Sequence, residues 1–123
     1  MIKVGDFGLA VQLEHSCSKR STVCGTSLYM GPEVYEDGAC LKSDVWSLGM
    51  SVIDMAEGKN PFANCTSFQV MKRVLSNPPP CLSSSEWSSD LVDFVKRCLV
   101  KDVNARASVE ELLKAHYAMM CNA

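Results

Sequence analysis

Residues 43–58 constrain the fold most, because their side chains would leave a helix with almost no polar face. The apolar positions are Val45, Trp46, Leu48, Met50, Val52, Ile53, Met55 and Ala56. A helix that is apolar on nearly all sides belongs inside a core that other elements cover. Ser43 is a plausible N-cap and Gly58 a stop signal, so the pattern predicts one buried helix between them.

Composition restricts the chain to one ordinary globular unit. It has 123 residues, of which 47% are hydrophobic and 21% charged. A net charge of −2 argues against nucleic acid as a partner, since it provides no basic surface. The longest apolar stretch is shorter than the roughly 20 residues of a membrane span, and no signal peptide is readable. We therefore expect a cytoplasmic protein with no membrane partner.

The seven cysteines suggest free thiols rather than a disulfide framework. Their number is odd and no close C-x-x-C pair occurs, so neither a set of disulfides nor a structural zinc site is indicated. Such thiols are typical of a reducing compartment.

The sequence on either side of residues 43–58 differs in periodicity. Residues 1–41 predict little regular structure beyond a short strand over residues 2–7 and a short helix that starts at Pro32. Residues 66–123 predict helices, because segments 66–69 and 108–111 both match the capping box. Between them, Ser88 or Ser89 caps a helix with an apolar stripe.

Three motifs follow one another in the first half of the chain. Asp6-Phe7-Gly8 by itself could be no more than a strand end with a tight turn. Gly31-Pro32-Glu33 begins 25 positions after Asp6, behind a segment rich in hydroxyl side chains. Ser43-Asp44-Val45-Trp46-Ser47-Leu48-Gly49 comes next. Their order and spacing together correspond to the magnesium motif and the end of the activation segment in the kinase signature.

On these motifs the chain resembles the C-terminal part of a eukaryotic serine/threonine protein kinase, most closely the sterile-20 group and its Hippo-type members. The similarity extends to segments 55–62, 77–80, 93–101 and 106–107. It implies a mainly α fold, the C-terminal lobe of a protein kinase, which is incomplete without the N-terminal lobe. Residues 1–123 would form a partial kinase domain, with the magnesium motif and activation segment in 1–41 and a helical subdomain in 42–123.

The resemblance also implies roles for single residues. Asp6 would hold the Mg²⁺ that bridges ATP phosphates, beside the structural residues Phe7 and Gly8. Thr22 would be the activating phosphosite, with Ser21 as the competing one, because a phosphate there could order the loop through nearby arginines. Thr26 would contact the catalytic loop and the substrate hydroxyl. Without the resemblance, the hydroxyls would indicate only a solvated loop.

Two further sites are implied in the helical part. Glu33 and Arg106 resemble a buried ion pair that fastens the activation segment to the last helices; otherwise they would be unrelated surface charges. Asp44 resembles the residue that accepts backbone hydrogens from the catalytic loop, and otherwise is a favourable acid in a first helical turn. Gly31 and Val103 depart from the family pattern, where Ala and Pro are usual.

No segment of the sequence matches the Gly-rich loop, the V-A-I-K-like lysine or the H-R-D-L-x-x-x-N catalytic loop. We expect a fragment of an active kinase that uses ATP and Mg²⁺, with a protein substrate and an upstream kinase as partners. The 123 residues alone would then be inactive. The alternative is a non-catalytic interaction module that uses the kinase docking surface; an unrelated helical domain is a third interpretation.

Overall fold

The computed structural model describes residues 1–13 and 27–121, and side chains as far as residue 115. Its described part contains five α-helices and one short 3-10 helix. The 3-10 helix is Ser27–Tyr29, and the α-helices are α1 Pro32–Glu36, α2 Ser43–Glu57, α3 Ser67–Ser76, α4 Ser89–Cys98 and α5 Val109–Cys121. The mainly α fold class is therefore confirmed. None of the described helices is long and apolar enough to cross a bilayer.

Helix α2 forms the centre of the core, as the sequence predicts. Trp46, Met50 and Ile53 are at most 1% exposed, and α2 packs against α4 and the 3-10 helix. The expectation of burial on every side is wrong at Leu48 and Met55, which are 42% and 76% exposed. Helix packing buries one side of a helix against each neighbour, so positions that face neither neighbour remain open.

The ends of α2 show one correction. The N-cap is Lys42, without a side-chain cap bond, and Ser43 is the first helical residue. The Ser43 hydroxyl instead accepts a hydrogen bond of 2.9 Å from the backbone N–H of Cys40, which tightens the turn that leads into the helix. At the other end Gly58 has a φ of 77°, the left-handed conformation that glycine adopts without steric cost.

The predicted helix starts in the second half of the chain are confirmed. Thr66 and Gln69 form a complete capping box on α3. Ser108 and Glu111 form the same reciprocal pair at α5, with N–H···O distances of 3.2 and 2.8 Å. Ser88 caps α4 through the backbone N–H of Leu91. These bonds satisfy amide groups that have no partner within their helix.

Gly49 allows α2 and α4 to approach closely. A Cβ at this position would lie 2.6 Å from the Cβ of Cys98 and 2.9 Å from the side chain of Leu99. Cys98 is fully buried there, and burial raises the pKa of its thiol to about 11. The close approach of these two helices therefore depends on glycine at position 49, which has no side chain.

The strand predicted over residues 2–7 is wrong. The described residues contain no β-strand, and Ile2 and Val4 are 97% and 82% exposed. A strand exists only through hydrogen bonds to a neighbouring strand, and the described part of the chain offers residues 2–7 none. Alternation of apolar and polar residues was therefore not enough to define the element.

Candidate functional site

An open groove of about 640 Å³ lies between residues 4–13 and the N-terminal half of α2. We call it the Asp6 groove. Its lining includes Asp6, Phe7, Met30, Gly31, Asp44 and Ser47. Residues from all three sequence motifs thus meet in one place, although they are up to 41 positions apart in the chain.

Asp6 has a backbone φ of 61°, the only positive φ at a non-glycine residue in the described part of the chain. Asp tolerates this left-handed region better than most residues, but holding it there still costs roughly 1 kcal/mol or more. A turn follows directly, because the N–H of Ala10 donates a hydrogen bond of 3.0 Å to the carbonyl of Phe7. Phe7 itself is 67% exposed. The motif therefore forms a strained turn that presents a carboxylate.

Asp44 lies in the first turn of α2 and is exposed to the same groove. An acidic side chain in the first turn of a helix interacts favourably with the helix dipole. Among the described residues no group of three Asp, Glu, His or Cys side chains lies close enough to hold a metal ion. Asp6 could therefore supply a single ligand, with the rest of the coordination shell provided by a nucleotide or by water.

The segment before α1 is tied to α2 and the turn that follows it by three hydrogen bonds. The Tyr29 hydroxyl donates to Asp54 at 2.7 Å, and the Ser47 hydroxyl donates to the Tyr29 carbonyl at 2.8 Å. The Asn60 amide donates to the Leu28 carbonyl at 3.4 Å. The bond to Asp54, followed by burial, raises the pKa of Tyr29. Residues 27–30 are thus held in one conformation.

The Tyr29–Asp54 contact is not predicted from the sequence. The available signal was the position of Asp54, an acid between Ile53 and Met55 in a strongly apolar stretch. A carboxylate in such surroundings needs a hydrogen-bond donor, because its charge is costly to desolvate. Nothing in the sequence identifies which of the 3 tyrosines supplies that donor.

Glu33 and Arg106 form a buried, two-pronged ion pair across 73 positions of the chain. Both N–H···O distances are 2.8 Å, and the residues are 6% and 1% exposed. Arg106 also donates to the carbonyls of Val100 and Lys42, and its guanidinium lies 5.2 Å from the ring centre of Trp46. Burial would raise the pKa of Glu33, but the hydrogen bonds and charge of Arg106 outweigh it and lower that pKa.

Lys42 completes the connection between the two ends of this region. Its ammonium group donates to the carbonyl of Arg106 at 2.7 Å, while its own carbonyl accepts from Arg106. The turn before α2 and the loop before α5 are therefore linked in both directions. The role of Lys42 is not predicted from the sequence, because a lysine beside a helix start has no distinctive pattern.

Three predicted site residues, Ser21, Thr22 and Thr26, lie outside the described residues. Their roles remain predictions that the structure does not test. Of the other six, five fall into two places, and Gly8 lies in the turn that follows Asp6 and does not line the groove. Asp6, Phe7 and Asp44 line the Asp6 groove, whereas Glu33 and Arg106 form the ion pair in the interior.

The sequence also matches a known protein family, and the architecture described above agrees with that match. A helical unit centred on one buried helix, with a groove lined by an acid-bearing turn, is compatible with a kinase C-terminal lobe. A family model described as the protein kinase domain matches residues 1–118. The chain belongs to the protein kinase family.

Proposed function

We propose that the chain contributes to a serine/threonine protein kinase of the sterile-20 or Hippo-type group. The reaction moves the γ-phosphoryl group of ATP to a hydroxyl oxygen of a protein substrate, with ADP as leaving group and the hydroxyl proton released. The observation that supports this most is the Asp6 groove, where a strained acidic turn lies beside the segment 27–31 and the start of α2.

Asp6 is the residue we assign to Mg²⁺. A carboxylate is a hard oxygen ligand, and Mg²⁺ is commonly held by one or two carboxylates together with substrate phosphates. The bound ion would neutralise charge on the phosphates of ATP. The described residues contain no cluster of three or more metal-binding side chains, so Asp6 is assigned this role as a single protein ligand.

The substrate side of the reaction is assigned to Thr26 and residues 27–30. The hydrogen bonds from Tyr29, Ser47 and Asn60 fix that segment against α2, so a peptide would meet a preformed surface. Such preorganisation reduces the entropy that the substrate loses on binding. The preference for serine and threonine rests on the resemblance of the chain as a whole to the serine/threonine kinases.

Activation by an upstream kinase is assigned to Thr22, with Ser21 as the second acceptor. A phosphate adds about −1.5 to −2 charge and can order a loop by pairing with arginines. Substitution of Thr22 by Ala in the native protein should then block activation, whereas Ser21→Ala should leave most of it. Equal loss in both variants would contradict the assignment.

The 123 residues alone should not transfer phosphate, because none of them matches the catalytic base or the ATP-binding lysine of the family signature. We expect the activity in a native polypeptide that carries those motifs, in the cytoplasm, without nucleic acid or membrane as partner. The other candidate, a non-catalytic interaction module, would use the same segment 27–30 for docking.

One experiment separates these two functions. An antibody to residues 77–89 captures the native polypeptide, which is then assayed with Mg²⁺, labelled ATP and a generic protein substrate, alongside the purified 123-residue chain. We expect labelled phosphoserine and phosphothreonine from a band well above 13.5 kDa, and none from the chain. Asp6→Asn should abolish the labelling, and the exposed Asp90→Asn control should preserve it. An inactive band at the mass of the chain itself would favour the interaction module.

A further inference from the structure

A second, shallower groove of about 770 Å³ lies between α4 and α5 and shares no residue with the Asp6 groove. We call it the α4–α5 groove. Its charged lining consists of Lys96, Arg97, Lys114 and Glu111, and Val100 and Ala107 contribute to its apolar floor. Three cations against one anion contrast with the net charge of −2 of the whole chain.

The charges at this groove are only partly neutralised from within the molecule. Arg97 donates its Nε–H to Asp93 at 2.7 Å, and Glu111 accepts the backbone N–H of Ser108. Lys96 has no ion-pair partner among residues 27–115. Lys114 interacts electrostatically with Glu111 on the same helix, so Lys96 is the cation most available to a ligand.

The helix dipoles explain the positions of only some of the cations that line the groove. Lys96 and Arg97 lie in the last turn of α4, where the helix dipole favours cations irrespective of any ligand. Lys114 lies beyond the first turn of α5, where the dipole has little effect. A lysine there adds a cation on the α5 wall, which also carries Glu111, to the two cations on the α4 wall.

We propose that the α4–α5 groove binds an acidic peptide segment of a partner protein. Its carboxylates would meet Lys96, Arg97 and Lys114, and a small apolar side chain between them would rest on the floor. The groove is broad and open, whereas a small molecule usually binds in a pocket that encloses most of its surface. The shape therefore suits an extended peptide better. The net negative charge of the chain disfavours long polyanions, whose further charges would lie outside the groove.

The test uses a fluorescein-labelled ten-residue peptide that repeats Glu-Glu-Leu-Glu-Glu, with anisotropy as the signal. We expect saturable binding that weakens as salt is raised. The double variant Lys96→Glu/Lys114→Glu should weaken it by about tenfold or more, because rim charges set electrostatic complementarity. The matched double variant Lys59→Glu/Lys72→Glu changes the net charge equally outside the groove, and should change binding by less than about twofold.

Amide hydrogen exchange on the unmodified chain provides a second measurement. The bound peptide should protect amides of residues 96–100 and 105–115, and leave residues 43–57 unchanged. Equal weakening in both double variants, equal binding of the Lys-Lys-Leu-Lys-Lys peptide, protection elsewhere or absence of saturable binding would overturn the proposal. Tighter, Lys96-dependent binding to vesicles of anionic lipid would also overturn it. None of these outcomes depends on kinase activity, so the proposal can fail separately from the proposed function.

Discussion

Residues 1–13 and the helical region that begins at α1 contain similar side chains in opposite environments. Ile53 and Val45 are at most 1% exposed, whereas Ile2 and Val4 are 97% and 82% exposed. Local sequence does not explain this contrast, since both regions contain apolar residues in regular patterns. The difference lies in the neighbours: α2 has α4 and the 3-10 helix against it, and residues 1–6 have no paired strand in the described structure.

The largest effect should come from breaking the ion pair that joins distant parts of the helical region. Arg106→Met should lower the free energy of unfolding by about 3–5 kcal/mol, because the buried Glu33 carboxylate loses its partner. Chemical denaturation measures the change. The pair of Arg97 and Asp93 provides the control, and Arg97→Met should leave stability nearly unchanged because both side chains are more than half exposed. Equal losses of unfolding free energy in the two variants would show that burial does not make the Glu33–Arg106 pair more stabilising than the exposed pair.

The contrast between the two regions can be tested with the same substitution in each. Ile53→Ala should cost about 2–5 kcal/mol, since it leaves a cavity in the fully buried core. Ile2→Ala should leave the free energy of unfolding nearly unchanged, because the Ile2 side chain is exposed. Thermal and denaturant unfolding of both variants would measure this. A large loss for Ile2→Ala would mean that residues 1–6 do pack in the folded chain.

Glycine offers a second matched pair, with a smaller expected effect. Gly49→Ala should cost about 1–3 kcal/mol, because the new Cβ would force α2 and α4 apart at Cys98. Gly5→Ala places its Cβ in open space and should have little effect on stability. The unfolding midpoints of both variants measure these changes in stability. If Gly49→Ala did not lower the midpoint, α4 would be able to shift away from α2 without loss of stability.

The smallest expected effect is a pH dependence in the helical region. Arg106 lowers the pKa of Glu33 in the folded chain below its ordinary value of 4.5, so the stabilisation is present above that pH. It is lost as pH falls through the lowered pKa, because protonation removes the charge that faces Arg106. Denaturant unfolding of Glu33→Gln across this range should lack that component.

Glu111 contributes to the same acid loss, since the Ser108 backbone N–H lowers its pKa. The Glu33 component is therefore the difference between the unmodified chain and Glu33→Gln, with Glu111→Gln measured in parallel. If Glu33→Gln lost stability in acid as steeply as the unmodified chain, the pair would not account for the dependence.

Local signals determined most of the helix boundaries. The capping boxes at Thr66 and Ser108, the stop at Gly58 and the proline at the start of α1 are interactions within a few residues of each other. Such contacts depend on side-chain type and spacing, which the sequence contains. The N-cap of α2 was misplaced by one residue, because the Ser43 hydroxyl accepts a bond from Cys40 before the helix rather than from within it.

The candidate site also consists of residues that the sequence predicted and of contacts that it did not predict. The sequence motifs alone selected Asp6, Asp44, Glu33 and Arg106 as site residues, through resemblance to the kinase family. The Tyr29–Asp54 bond, the two-way link through Lys42 and the charged α4–α5 groove were not predicted. Each joins residues from separate elements of the fold, and no local pattern specifies which distant groups will meet.

The sequence by itself therefore determined the helical class, most of the helix ends and the family of this chain, because periodicity, capping and motif order are local properties. Only the tertiary structure decided which apolar residues are buried and which partner each buried charge has. Burial depends on the neighbours that packing brings against a surface, as the opposite environments of Ile2 and Ile53 illustrate.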